Sequence, residues 1–426
     1  MNTMIPAGAG EKMQYIVHPF NDNTIRFVLH YPSRLQAETL RQASFALAGS
    51  VDVLHASFVA DKRRAGWQIN DICPEDCFTC IAAADPITTA LAQALQPIEA
   101  SSPAQMRCIL VEGAQDCAVV LLVSHLCVDG SDGKYLLHKL CEAYHLALET
   151  GSCTGLTVKN GSRAVEQVYS HLTRQERFRL LRDPRTGIRC EFPFPAAEEG
   201  KPRVLWRHIP AREMSAARQQ AKHLGATVND LLLTACYYAY AETADIPAHT
   251  PISVMSMMDL RRHCEGGDSQ GLCNLTGGLC TALPKGLEAT FSETLAALSQ
   301  QTRRSKEDPF AGLYGMPLLH GAANKLPVGL LLSAASHLYG SMSVGMTNVG
   351  SIDCRALQMG GAVPDAGWFG GPVKHKPGVQ ISAASFDGQC ALGIWGYAAD
   401  SDLPALYLLL DRMVEHICAF AQQHLS

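Results

Sequence analysis

Residues 118–133 read AVVLLVSHLCVDGSDG. Six consecutive apolar residues run into Ser124 and His125, and Asp129 and Gly130 follow. The next stretch, KYLLHKLCEAYHLALE at 134–149, carries apolar residues at helical spacing. A buried strand therefore passes into a helix through a short loop, with an ionisable ring at the lip of the core. Ser131 or Asp132 is positioned to accept bonds from the first free amides of that helix. Glycine at 130 suits a backbone geometry that a side chain would forbid.

Working outward, the pattern on either side is mixed. Residues 13–32 (MQYIVHPFNDNTIRFVLHYP) read as two short strands around an Asn/Asp turn. Residues 35–50 form a helix stopped by Gly-Ser, 53–69 a hairpin, 85–98 a helix opened by Asp85-Pro86, and 106–127 a second hairpin. From 151 to 206 the periodicity weakens into Gly, Pro, Arg and Glu, as a crossover would. The rhythm then repeats. Strands are expected at 204–210, 250–262, 343–352 and 379–398, and helices at 211–225, 227–242 and 403–425. Thr227 with Asp230 three residues on makes a capping-box start. Strands and helices alternate without regular βαβ units, so the fold class is α+β: two similar lobes, each a mixed sheet with helices. The lobes are drawn at 1–175 and 206–426, joined by a linker at 176–205.

The totals exclude several classes. At 426 residues, 47% hydrophobic and 18% charged, the chain has material for sizeable cores. Its net charge of −5 argues against nucleic acid or an anionic membrane as the main partner. Sixteen cysteines are scattered without a ladder of short spacings, so a disulfide scaffold is not expected. Cys73, Cys77 and Cys80 have zinc-like spacing but no second pair, and no metal is expected. The opening MNTMIPAGAGEKMQY lacks a basic head followed by an apolar stretch, so no signal peptide is expected. The apolar segment at 326–340 is shorter than the ~18 residues of a membrane span. A cytoplasmic location fits these features.

The chemistry concentrates at His125. A histidine at a strand end is ordinarily a hydrogen-bonded filler. Here a rigid strand fixes the ring, and Asp129 is close enough to shape the turn through a salt bridge or backbone bonds. A neutral imidazole at a cleft edge is the usual general base near neutral pH. HLCVDG at 125–130 also fits HxxxDG, and so resembles the superfamily of chloramphenicol acetyltransferase, peptide-synthetase condensation domains, wax-ester synthases and alcohol acyltransferases. GATVNDLLLTAC at 225–236, MSMMDLRR at 255–262, TNVGSID at 347–353 and ISAASFDGQCALGIW at 381–395 resemble later motifs of the same superfamily, in the same order. The resemblance implies two lobes with a tunnel between them and His125 at its middle. An acyl thioester, on coenzyme A or on an acyl carrier protein, enters from one side and a small-molecule acceptor from the other. His125 acts as general base without an acyl-enzyme, and Asp129 is structural, holding the loop by pairing with an arginine. The thioester is a co-substrate; no tightly bound cofactor is implied.

Departures from the superfamily pattern shape the rest. Condensation domains carry two adjacent histidines, and here the first is Ser124, which favours O-acylation over N-acylation. A condensation-type enzyme acylating an amine and a non-catalytic binding member remain as alternatives. The early arginine of the superfamily corresponds to His55, so the partner of Asp129 is His55, Arg261 or another residue. Ser124, Thr347 and Asn348 are candidate substrate-binding residues; Asn348 either donates to the thioester oxygen or bonds a neighbouring loop. Arg261 and Arg262 either meet an anionic substrate group or are solvated at a strand end. DAGWFGG at 365–371 loosely resembles the DFGWG of plant members; otherwise it is a glycine-rich surface loop with Trp368 packed.

Overall fold

An apolar run as continuous as 117–124 must be covered on both faces. In the computed structural model, which describes residues 4–61, 64–181, 191–338 and 344–422, all eight residues of this strand are buried. Alternate side chains enter different cores. Val119, Leu121 and Val123 face one, while Ala118, Val120 and Leu122 face the other. The strand is central because only a central position hides both faces.

The first half contains β1 (Met4–Pro6), α1 (Ala9–Tyr15), β2 (Thr24–Tyr31), α2 (Ala37–Ala48), β3 (Ala56–Ala60) and β4 (Ala65–Ile69). It continues with α3 (Pro74–Cys77), β5 (Phe78–Ala82), α4 (Pro86–Gln93), β6 (Met106–Glu112), β7 (Cys117–Ser124) and α5 (Gly130–Thr150). The second half has α6 (Arg174–Arg179), β8 (Lys201–Ile209), α7 (Ala211–His223), α8 (Val228–Thr243), β9 (Ile252–Asp259), β10 (Thr276–Leu283) and α9 (Phe291–Glu307). It closes with α10 (Met316–Lys325), α11 (Val328–Leu338), β11 (Val344–Ile352), β12 (Ala366–Gly370), β13 (Val379–Phe386), β14 (Gln389–Ala398) and α12 (Leu403–Gln422).

Two mixed sheets dominate. One has the order β12-β2-β7-β6-β5 and the other β10-β9-β11-β13-β14-β8; β1, β4 and β3 form a small third sheet. Only β5–β6 is parallel in the first, whereas β11 runs parallel to both its neighbours in the second. The fold is α+β with two sheet-and-helix halves. Helices α7, α8 and α12 bury Met214, Tyr237, Leu409 and Met413 on the second sheet.

Several expectations change. Residues 13–32 are not two strands: α1 occupies the start, a 3-10 turn spans His18–Phe20, and only Thr24–Tyr31 is extended. The Glu11 carboxylate accepts from Gly8 N–H at 2.5 Å and starts that helix. The cap of α5 is neither Ser131 nor Asp132. Asp129 Oδ1 accepts from both of their amides at 3.0 Å. The stretch 365–371 is not a surface loop, because β12 crosses from the second half to pair antiparallel with β2. Trp368 there is buried against Trp206 and His208. Strands β1, β5 and β10 and helices α3, α6, α9, α10 and α11 are additional to the predicted elements. Part of the expected crossover, 182–190, and the last residues of the expected terminal helix, 423–425, lie outside the described residues.

Candidate active site

The first sheet ends in the candidate base. β2 and β7 pair over eight residues from Thr24↔Ser124 to Tyr31↔Cys117, and His125 N–H donates to Asn23 O at 2.7 Å just past the ladder. The imidazole Nδ1 lies 2.8 Å from Val128 O. A carbonyl can only accept, so Nδ1 carries the proton and Nε2 keeps its lone pair. Asn274 Nδ2 stands 3.1 Å from the same Nδ1, a contact of two donors that walls the ring without bonding it. Loss of water is the main influence on the ring and lowers its pKa, with the Lys374 charge adding to it and Asp129 and Val128 opposing. The net direction keeps the ring neutral near pH 7.

The second sheet supplies the space in front of it. β9 and β10 are paired along eight residues, but β9 and β11 only at Gly345↔Met255 and Met346↔Ser256. Beyond that the two strands part, and β11 shifts register between Asn348 and Ser351. A cavity of ≈790 Å³ occupies the seam, with His125 and Lys134 from the first half and Met257, Thr347, Asn348 and Lys374 from the second. That volume is in the ~300–1,000 Å³ range of small-molecule sites.

Behind His125 the loop is held by charge. Asp129 Oδ2 accepts from Arg261 Nη1 at 2.7 Å and from Leu275 N–H at 2.8 Å. Arg261 Nη2 lies 2.9 Å from Asp132 Oδ2, and Lys159 Nζ 2.6 Å from Asp132 Oδ1. Asp129, Asp132 and Arg261 are all buried. Burial works against the guanidinium charge, but the two aspartates outweigh it and raise its pKa. Burial and the neighbouring Asp129 push the Asp132 pKa up. The partner of Asp129 is thus Arg261, while His55 Nδ1–H donates to Ala48 O at 3.2 Å. Arg261 is not solvated; Arg262 is exposed and donates to Lys306 O at 2.8 Å.

Other candidates fall as follows. Gly130 is the first residue of α5 and its φ is not positive. A Cβ there would come 3.1 Å from Val349 Cγ1, so glycine answers to a close approach by β11 and not to a forbidden backbone angle. Ser124 does not reach the cavity: it is fully buried, its Oγ accepting from Leu126 N–H at 3.3 Å. Thr347 and Asn348 do line it. The Asn348 Oδ1 accepts from Gly350 N–H at 2.8 Å, and its Nδ2 is 3.4 Å from Asn229 Oδ1. Cys73 N–H bonds Asp76 and Cys80 Sγ contacts Glu112, while Cys77 is buried. Among the described residues no group of three His, Cys, Asp or Glu side chains could hold a metal ion. Gln14, Asn274 and Lys374 line the cavity without having been singled out. Only Lys374, in the run KHK at 374–376, carried a signal that a search for basic residues could have found.

No family model and no curated protein sequence matches the chain. Solved structures do. Polyketide synthase associated protein 5 from Mycobacterium tuberculosis aligns with TM-score 0.71 and 15% identity over 99% of this chain and 100% of that one. Trichothecene 15-O-acetyltransferase from Fusarium sporotrichioides aligns at 0.70 and 12% over 98% and 95%. The condensation domain of the monacolin K polyketide synthase aligns at 0.70 and 12% over 99% and 98%. The chain therefore has the condensation-domain and chloramphenicol-acetyltransferase-like fold. Among the described residues no helix is long and apolar enough to cross a membrane.

Proposed function

We propose that the protein is an acyltransferase that moves an acyl group from a thioester, on coenzyme A or on a carrier protein, to a small-molecule hydroxyl. The observation carrying this reading is the ring of His125: Nδ1–H is spent on Val128 O, so the lone pair is on Nε2 and the ring lines the seam cavity. In the reaction the acceptor oxygen attacks the thioester carbonyl. The C–O bond forms, the C–S bond breaks, and the hydroxyl proton passes to Nε2 and then to the leaving sulfur. A cavity shared by both halves holds two reactants together, which lowers the entropic part of the barrier. Amide groups such as that of Asn348 are suited to stabilise the oxyanion.

The test is thiol release from acyl-coenzyme A and acyl-pantetheine donors against a panel of alcohols and amines, with wild type and His125→Ala. Alcohol-dependent release that falls by about 10²–10⁴-fold in the variant is expected. Release with amines alone would replace the hydroxyl acceptor with an amine. Turnover that survives His125→Ala, or ligand binding without turnover in either protein, would remove the general-base reading.

A further inference from the structure

A guanidinium carries five N–H donors in a rigid, planar fork. That of Arg163, in the chain that follows α5, makes five bonds. Nε and Nη2 donate to Glu11 Oε1 at 3.2 and 3.0 Å. Nη1 donates to Cys127 O at 3.1 Å and to Leu272 O, and Nη2 also donates to Leu126 O at 3.3 Å. The side chain is 18% exposed, and its Cζ stands 5.9 Å from the ring centroid of the buried Trp67, within reach of a cation–π contact.

The destinations of those bonds are neighbours of three cavity-lining residues. Glu11 lies on α1 one turn before Gln14, Leu126 and Cys127 follow His125, and Leu272 comes two residues before Asn274. Gln14, His125 and Asn274 all line the main cavity. One cation thus ties together α1, the loop after β7 and the chain leading into β10.

The loop depends on such a tie. Its amides are satisfied from the strand side, with His125 N–H on Asn23 O at 2.7 Å and Cys127 N–H on Ser124 O at 3.0 Å. Its carbonyls are turned elsewhere. Val128 O faces the imidazole Nδ1, and among the described residues Arg163 is the donor to Leu126 O and Cys127 O. A peptide unit is planar, so fixing Cys127 O also fixes the nitrogen of Val128. On the other side of Val128, Arg261 holds the Asp129 carboxylate. The carbonyl that selects the imidazole tautomer is therefore bracketed by two guanidiniums, one on each side.

We infer that Arg163 is a positioning residue for His125: it holds the carbonyls of Leu126 and Cys127, so that Val128 O keeps the ring proton on Nδ1. The hydrogen bond made by one imidazole nitrogen decides the state of the other. A lysine cannot replace it, because an ammonium offers three donors from one point and no planar fork. The inference rests on the proposed acyl transfer only for its effect on turnover; its effect on the ring stands without it.

The experiment reads the ring directly. The full chain is labelled with nitrogen-15 in its histidines and observed at about pH 8, above the ordinary imidazole range, with the His125 signals assigned by His125→Gln. In the wild type Nδ1 should carry the proton and Nε2 should not. In Arg163→Lys the two nitrogens should move towards averaged shifts, as the proton is shared between them. Arg163→Gln, which keeps two donors, serves the same reading if the lysine variant does not fold. Leu409→Ala destabilises the distant core on the second sheet, where Leu409 is fully buried, and should leave the ring signals in place. In the thiol-release assay kcat of Arg163→Lys should fall by about 10²-fold, as for a reacting group displaced by about 1 Å, while KM changes by less than about threefold. Ring signals or a kcat in Arg163→Lys that match the wild type would overturn the positioning role, as would equal averaging in Leu409→Ala. A wild type without thiol release, whose ring still responds to Arg163→Lys, would remove acyl transfer and leave the positioning role standing.

Discussion

The two long sheets treat their middle strands in opposite ways. β7 is paired on both sides along its length, with both faces buried. β9 and β11 share two residue pairs and then part, leaving Met257 40% exposed. The closed ladder gives the imidazole a fixed mount, and the open seam leaves the cavity in front of it; under the proposed function, that is where the reactants stand. A site of this kind needs both: a sheet closed throughout would have no room, and one open throughout could not hold a base in register.

Breaking the brace between the halves should have the largest effect on the fold. Arg261→Ala would leave Asp129 and Asp132 buried without their shared cation, and removing one partner of such a group costs about 3–5 kcal/mol. A urea midpoint that drops accordingly, with loss of thiol release, is expected. A change below about 1 kcal/mol would mean that the loop is held by its backbone bonds alone.

Next comes the contrast itself. Leu121→Ala in the closed ladder should cost about 2–5 kcal/mol, as for other fully buried leucines, while Met257→Ala at the seam should cost less than about 1 kcal/mol and alter ligand binding instead. Equal losses of stability, read from denaturation curves, would show that the seam is packed and not open.

The smallest effect concerns where β12 joins the first sheet. His30 sits between Asp365, 2.5 Å from Nδ1, and Asp116, 3.0 Å from Nε2. Desolvation lowers its pKa, but the two carboxylates prevail and the net direction is upward from 6.5. A raised folded-state pKa means stability fully present below the unfolded value and lost as pH rises through the folded one. The ring is 13% exposed, but its partners Asp116 and Asp365 are 36% and 53% exposed, so solvent screening keeps the term small. The stability difference between wild type and His30→Asn should shrink from pH 6 to pH 8; a difference that grows would reverse the assignment.

Much of this architecture was legible beforehand. The run 118–123, the helix after Gly130 and the capping box at Thr227 are local signals, and they locate β7, α5 and α8 within a few residues. The helix at Ala9–Tyr15 was missed because its start depends on one carboxylate reaching back to Gly8, which period alone does not reveal. The glycine-rich 365–371 looked like a loop because its partner strand, β2, lies more than 300 residues earlier. Asn274 and Gln14 were invisible as site residues, since neither lies in a periodic or charged pattern and each matters only through what it touches.

The chain by itself determined which strand is buried, where it ends and that a histidine stands at that end, because hydrophobic period and turn chemistry act over a few residues. Only the tertiary structure decided that Arg261 is the partner of Asp129, that Ser124 faces the core, and that β9 and β11 separate to leave a cavity before His125. Those are contacts between residues far apart in the chain, and their geometry is set by how the two sheets and their helices pack, which no local pattern encodes.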